Sequence, residues 1–131
     1  MLENSFPISG KFQKYERLSS EIIIKELFVK GNSFFSYPFK FFYLLNKPDL
    51  NQSQLVISVS KRSFKKAVHR NLIKRRIREA YRLNKHNLYH PSIEQPKHKV
   101  FAIVYVAKDI LTFKEIETKL TPLLLRLGGI N

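Results

Sequence analysis

The chain has 131 residues, a formal net charge of +14 and a sequence pI of about 10.2; a domain this basic repels itself and points to a polyanionic partner. A hydrophobic fraction of 44%, with 11 Phe and 6 Tyr, supplies one core, so a single domain over 1–131 is expected and compositional disorder is excluded. The absence of Cys excludes disulfides, thiolate catalysis and Cys-containing zinc sites.

In chain order, residues 1–15 and the few that follow read as an extended lead-in punctuated by Pro7 and Gly10. Ser19 or Ser20 can cap a helix running to about Lys30, with Ile24 above Phe28 and Ile23 above Leu27. Three consecutive isoleucines fit the start of a strand equally well. Gly31-Asn32 supplies the stop. A short strand near Phe34-Phe35 is only weakly marked, because Pro38 interrupts it. Residues 39–45 predict a strand with Phe39, Phe41 and Tyr43 on one face and Lys40 and Phe42 on the other. A polar loop from Asn46 to Ser53 leads to a β-branched strand, Leu55 to Val59.

A helix is expected from about Phe64 to Leu83, then a polar loop from Asn84 to His98. Residues 99–107 are the clearest strand, apolar enough to be buried on both faces. Thr112 and Glu115 spell a capping box for a last helix carrying Ile116, Leu120, Leu123 and Leu127, which Pro122 should kink or end early. No apolar run approaches the roughly 18 residues that span a bilayer. The first residues lack the basic start and apolar core of a secretory signal, so the cytoplasm is the expected compartment. His69, His86, His90 and His98 have no metal-ligand spacing and read as surface residues.

The stretch from Lys61 to Arg82 holds 10 Lys or Arg and one acid, Glu79. At about 100° per residue from Val68, residues Arg70, Asn71, Lys74, Arg75, Arg78 and Arg82 share one side of a helix. Val68, Leu72, Ile73, Ile77, Ala80 and Leu83 share the other, and Arg76 is the lone cation among them; it can snorkel along its methylenes to water. Guanidinium groups fork onto phosphates with two hydrogen bonds and stay charged. Like charges at i,i+4 destabilise an isolated helix, which makes sense where a polyanion offsets them. A solvated basic face or a membrane-surface helix is the alternative, but balancing acids are missing and the neighbouring strands need this helix as a cover.

The run Val59-Ser60-Lys61-Arg62, Lys65-Lys66-Ala67-Val68 and Arg70-Asn71-x-x-Lys74-Arg75-x-x-Arg78-Glu79 resembles the signature of the protein subunit of bacterial ribonuclease P. Glu16-Arg17-Leu18, Phe28 followed by Gly31, the strand with Phe42 and the late strand and helix stand in the matching order. The departures are Leu72 where the family writes Arg, Arg76 where it is aliphatic, and Ile24 where it has Phe. The exchange of Leu72 and Arg76 predicts a helix slightly rotated on its sheet.

The resemblance implies an α+β fold, an α-β-β-β-α-β-α two-layer sandwich whose small mixed sheet has a left-handed βαβ crossover against the usual rule. It implies a holoenzyme that removes the 5′ leader of precursor tRNA, with chemistry and Mg2+ carried by a catalytic RNA. The protein has no catalytic residue, metal or cofactor of its own in that reading; its partners are the catalytic RNA and precursor tRNA, not DNA or membrane. The RNA face falls on Lys61, Arg62, Lys66, Arg70, Asn71, Lys74, Arg75, Arg78 and Arg82. The leader cleft falls on Ile24, Phe28, Lys40 and Phe42, where stacking and cations suit a single strand, although core packing explains Phe28 and Phe42 equally well.

Two rivals stand beside this reading. A self-sufficient nuclease needs clustered carboxylates for its ions, and the 10 Asp and Glu are dispersed. A ribosomal or other structural RNA-binding protein fits size and charge equally, and only the signature separates it. A helix-turn-helix protein is argued against by the strand before the basic helix.

Overall fold

The computed structural model describes residues 16–45, 53–89 and 98–130; the expectations for 1–15, for most of the loop before Ser53 and for 90–97 lie outside them. Helix α1 (Glu21–Lys30) is followed by strands β1 (Asn32–Ser36), β2 (Phe39–Leu44) and β3 (Gln54–Val59), helix α2 (Ala67–Asn84), strand β4 (Val100–Tyr105) and helix α3 (Phe113–Gly128). The strands form one mixed sheet in the order β1-β2-β4-β3. The pairs β1–β2 and β2–β4 are antiparallel, whereas β3 and β4 run parallel with α2 as their connection.

Burial follows the alternation of each strand. Phe39 and Phe41 join Leu55, Val59, Phe101, Ile103 and Tyr105 in the main core, which α2 and α3 close with Ile73, Ile77, Ala80, Tyr81, Ile116, Leu120, Leu124 and Leu127. Each Leu, Ile, Val or Phe among them contributes roughly 1.5–3 kcal/mol through removal from water. Tyr81 is buried against Phe101, and desolvation raises its phenol well above the usual range. The opposite parity of the same strands faces α1: Leu44, Val100 and Ala102 pack with Leu18 and Leu27, and with the half-buried Ile23, Ile24, Phe42 and Val56. The sheet and α2 with α3 form the two layers, and α1 covers one end of the reverse face.

Local chemistry sets the helix ends. The Ser20 hydroxyl accepts from the Ile23 amide, and the Gly31 amide donates to the Leu27 carbonyl. A Cβ on Gly31 would collide with that carbonyl oxygen and press on the Tyr43 oxygen at 3.1 Å, so close backbone approach requires the glycine. Thr112 and Glu115 form the expected capping box. Of the two outcomes expected at Pro122, a kink or an early end, the early end does not occur: α3 continues to Gly128. Pro122 and Thr118, whose carbonyl loses its donor, both lie on the exposed side, while Leu120, Leu123, Leu124 and Leu127 hold the buried side together.

Three other expectations change. The loop after α2 begins as a 3-10 turn over Lys85–Tyr89 with Leu88 buried. Phe64 precedes α2 rather than starting it, and anchors the connecting loop in the core against Tyr105. His98 is not a plain surface residue: the ring Nδ1 meets the Tyr89 hydroxyl at 2.7 Å, and burial lowers its pKa.

Candidate nucleic-acid interface

The approach to α2 is built by one serine. Ser60 Oγ accepts from the amides of Arg62 and Ser63, and the Ser60 carbonyl accepts from the Phe64 amide. With Phe64 buried, this tight turn holds Lys61 and Arg62 outward, and both are exposed. Helix α2 then follows from Lys66, its N-cap residue, with no side-chain cap and no acid in its first turn. Its leading amides and positive dipole end therefore lie beside Lys61, Arg62, Lys65 and Lys66, a combination that favours anions.

Along α2 the expected sorting holds with two corrections. Asn71 and Arg75 are exposed, Lys74 and Arg78 half-buried, while Ile73, Ile77, Ala80 and Tyr81 face the core. Val68 and Leu83, expected on the packed side, are 66% and 42% exposed; they stand in the first and last turns of the helix. Arg76 leaves the apolar side by donating from Nη1 to the Leu111 carbonyl at 2.6 Å, which ties α2 to the start of α3. Leu72, expected on the packed side, is half-buried.

The cations are not equivalent. Arg70 turns back and donates from Nη1 to the carbonyls of Phe64 at 2.7 Å and Lys65 at 2.9 Å, bracing the loop against the helix. Arg82 is engaged by Glu79 through two hydrogen bonds of 3.0 and 2.7 Å, which raise its pKa and lower that of Glu79. Among the described residues, no carboxylate pairs with Lys61, Arg62, Lys66, Lys74, Arg75 or Arg78. Burial lowers the Arg78 pKa, and the charges of Arg17 and Arg75 lower it further. Sequence reasoning left Arg17 out of the basic face; its position in the Glu16-Arg17-Leu18 run was the available signal.

The four cleft residues meet on the reverse face of the sheet. Phe28 of α1 stands edge-on to Phe42 of β2, with ring centroids 4.9 Å apart and planes at 61°. Lys40 Nζ lies 5.1 Å from the Phe42 ring centre. Phe28 is 40% exposed, whereas Phe42, Lys40 and Ile24 are half-buried. Ile24 packs on the α1 cluster, and Phe42 both packs there and shows a face to solvent. Next to them Phe35, in register with Lys40, is 60% exposed. This makes an aromatic surface with a cation at its edge, suited to stacked bases and a phosphate backbone. Lys40, Val104 and Ser58 stand in one row across the sheet, two residues short of the turn with Lys61 and Arg62. The two surfaces thus approach each other at that end of the sheet.

Among the described residues, no three His, Asp or Glu side chains gather where they could hold a metal, and no helix is long and apolar enough to cross a membrane.

The sequence model of the ribonuclease P family matches residues 12–128. The ribonuclease P protein component of Porphyromonas gingivalis (strain ATCC 33277) is 34% identical over 124 residues, covering 94% of this chain and 90% of that protein. The ribonuclease P protein structure from Staphylococcus aureus, at 2.0 Å, superposes with a TM-score of 0.68 at 28% identity, covering 88% of this chain and 98% of that one. The Thermotoga maritima ribonuclease P protein gives a TM-score of 0.68 at 28% identity over 85% and 96% of the two chains. The match spans both surfaces and nearly the whole chain: it belongs to the ribonuclease P protein component family, whose partner is RNA.

Proposed function

We propose that this chain binds the catalytic RNA of ribonuclease P through α2 and the turn before it, and holds the 5′ leader of precursor tRNA across the Phe28–Phe42 surface. The observation that carries the reading is the separation of two chemistries within one small sheet. Lys61, Arg62, Lys66, Lys74, Arg75 and Arg78 form a ridge with no paired carboxylate among the described residues, and Asn71 lies among them. Phe28, Lys40 and Phe42 form an aromatic and cationic surface on the other face.

The protein's part in cleavage is then binding and positioning. A ridge of guanidinium and ammonium groups neutralises phosphates and releases their counterions. The aromatic surface adds roughly 1–3 kcal/mol per stacked base, without regard to sequence. The cations lower the repulsion between two RNAs and the stacking adds attraction, so less magnesium is needed to bring them together. Mg2+ belongs to the RNA in this reading, and the complex works in the cytoplasm on precursor tRNA.

Reconstitution tests the proposal. The chain combined with a bacterial ribonuclease P RNA is expected to remove the leader at magnesium concentrations where that RNA alone is slow. Equal rates with and without the protein, or preference for mature tRNA over leader-bearing substrate, would contradict it. The chain without RNA is expected to give no magnesium-dependent cleavage of precursor tRNA.

A further inference from the structure

Residues 16–18 are laid against the sheet before α1 begins. Arg17 forms a parallel bridge with Leu55, and the Leu18 amide donates to the Leu55 carbonyl at 2.8 Å. On one side of Arg17, the Glu16 carboxylate accepts from Lys85 Nζ at 2.9 Å, with only 6% and 3% of the two side chains exposed. On the other side, Leu18 is buried in the cluster beneath α1. Lys85 is the residue that caps the C-terminus of α2, so the buried pair ties the start of the described chain to the end of the basic helix.

A buried ion pair adds little net stability over apolar residues of the same volume; what it can provide is a fixed register. Here it fixes the residue between the two anchors. Paired residues on neighbouring strands share a face of the sheet, and Leu55 faces the core beneath α2. Arg17 therefore leaves the sheet on the side of α2, and is exposed there. Its charge acts on Arg78 together with that of Arg75. Two segments thus bring positive charge to the Arg78 guanidinium, one from within α2 and one from the chain paired to the edge of β3.

We propose that Arg17 is a phosphate-contacting residue of the RNA interface, positioned beside Arg75 and Arg78 by the buried Glu16–Lys85 pair. The inference rests on the reading of α2 as the RNA face. A cation from a second segment widens the ridge across the helix axis, so that it can grip phosphates on more than one line of RNA backbone.

The test is equilibrium binding of the full chain to a bacterial ribonuclease P RNA over a series of KCl concentrations. Arg17→Ala, which leaves both anchors in place, is expected to weaken binding about threefold to tenfold and to lower the salt slope by about one. Arg17→Lys should restore the slope but not all of the affinity, because an ammonium lacks the guanidinium fork. Glu16→Leu combined with Lys85→Met replaces the pair with apolar volume, and its circular dichroism should match that of the parent. It should nevertheless bind as weakly as Arg17→Ala, and adding Arg17→Ala to it should cost little more. Parental affinity and slope in Arg17→Ala, beside weakened binding in Arg78→Ala, would overturn this inference alone. A loss in Arg17→Ala with full affinity in the double variant would overturn the positioning role. Parental binding in Arg78→Ala as well would remove the α2 interface itself.

Discussion

The α2 ridge and the Phe28–Phe42 surface lie on opposite faces of one sheet and are made in opposite ways. The ridge comes from a single helix and the turn before it, and its cations act on phosphate through charge. The aromatic surface joins α1 to β2, and its rings touch each other as well as solvent. Charge acts over several ångströms and tolerates small displacements, whereas stacking needs a ring at a defined height and tilt. A ridge can therefore be built from long flexible side chains, while the stacking surface needs rings fixed by packing. Phe42 shows the consequence, because it is both a core residue and an exposed face.

Breaking one surface should leave the other working. The largest expected effect is charge reversal on the ridge. Arg75→Glu with Arg78→Glu should reduce affinity for the catalytic RNA about 100-fold or more near physiological salt, and lower the salt slope by two or more. Preference for leader-bearing over mature substrate, measured at saturating protein, should persist. Phe42→Ala is expected to do the reverse. Leader preference should fall by roughly the 1–3 kcal/mol of one stacked base, with the salt slope for the catalytic RNA unchanged and the fold intact by circular dichroism. A simultaneous loss of both readouts in either variant would mean that the two surfaces are one site.

Arg70→Ala sharpens the comparison within the ridge. This side chain braces two backbone carbonyls, and hydrogen bonds from a charged donor contribute roughly 1.5–3 kcal/mol. Its loss should lower the melting temperature, and should weaken RNA binding by loosening the turn with Lys61 and Arg62, with less change of slope than Arg75→Ala gives. A slope change equal to that of Arg75→Ala would make Arg70 a phosphate ligand like the others.

The smallest effect belongs to the pair of Arg82 and Glu79. Arg82→Gln should weaken RNA binding less than Arg75→Gln, because Glu79 already holds the guanidinium. The folded-state pKa of Glu79 is lowered from 4.5, first by its hydrogen bond from Arg82. Its contribution to stability is thus present above about 4.5 and disappears as pH falls through the lower folded value. For an exposed pair it is small. Thermal melts of the parent and Glu79→Gln should differ slightly at pH 6 and converge toward pH 3; a gap that widens on acidification would be the wrong sign.

Periodicity made much of this legible. The β-branched and aromatic runs gave β2, β3 and β4 to within a residue or two, and the Thr112–Glu115 spacing gave the start of α3. The helical wheel separated the ridge from Ile73, Ile77 and Ala80, because both surfaces of one helix share a single period. What pattern could not give was contact between distant segments. The destination of Arg76 is a carbonyl on the segment before α3, and the side of the sheet that Arg17 takes is set by its bridge to Leu55 of β3. The self-contained nature of the Arg82–Glu79 pair needed side-chain geometry, although its i,i+3 spacing was visible. Pro122 failed as a stop because local propensity yielded to the buried leucines on either side of it.

The chain has no native cysteine, so a single introduced one can carry a photo-crosslinker to either surface. Asn71 lies exposed on the ridge, and Ser33 lies exposed beside Phe42 on the reverse face. In a complex reconstituted with a bacterial ribonuclease P RNA and precursor tRNA, Asn71→Cys is expected to crosslink the catalytic RNA and Ser33→Cys the 5′ leader. Crosslinks from position 71 to the leader, or none to RNA from either position, would contradict the assignment of the two faces.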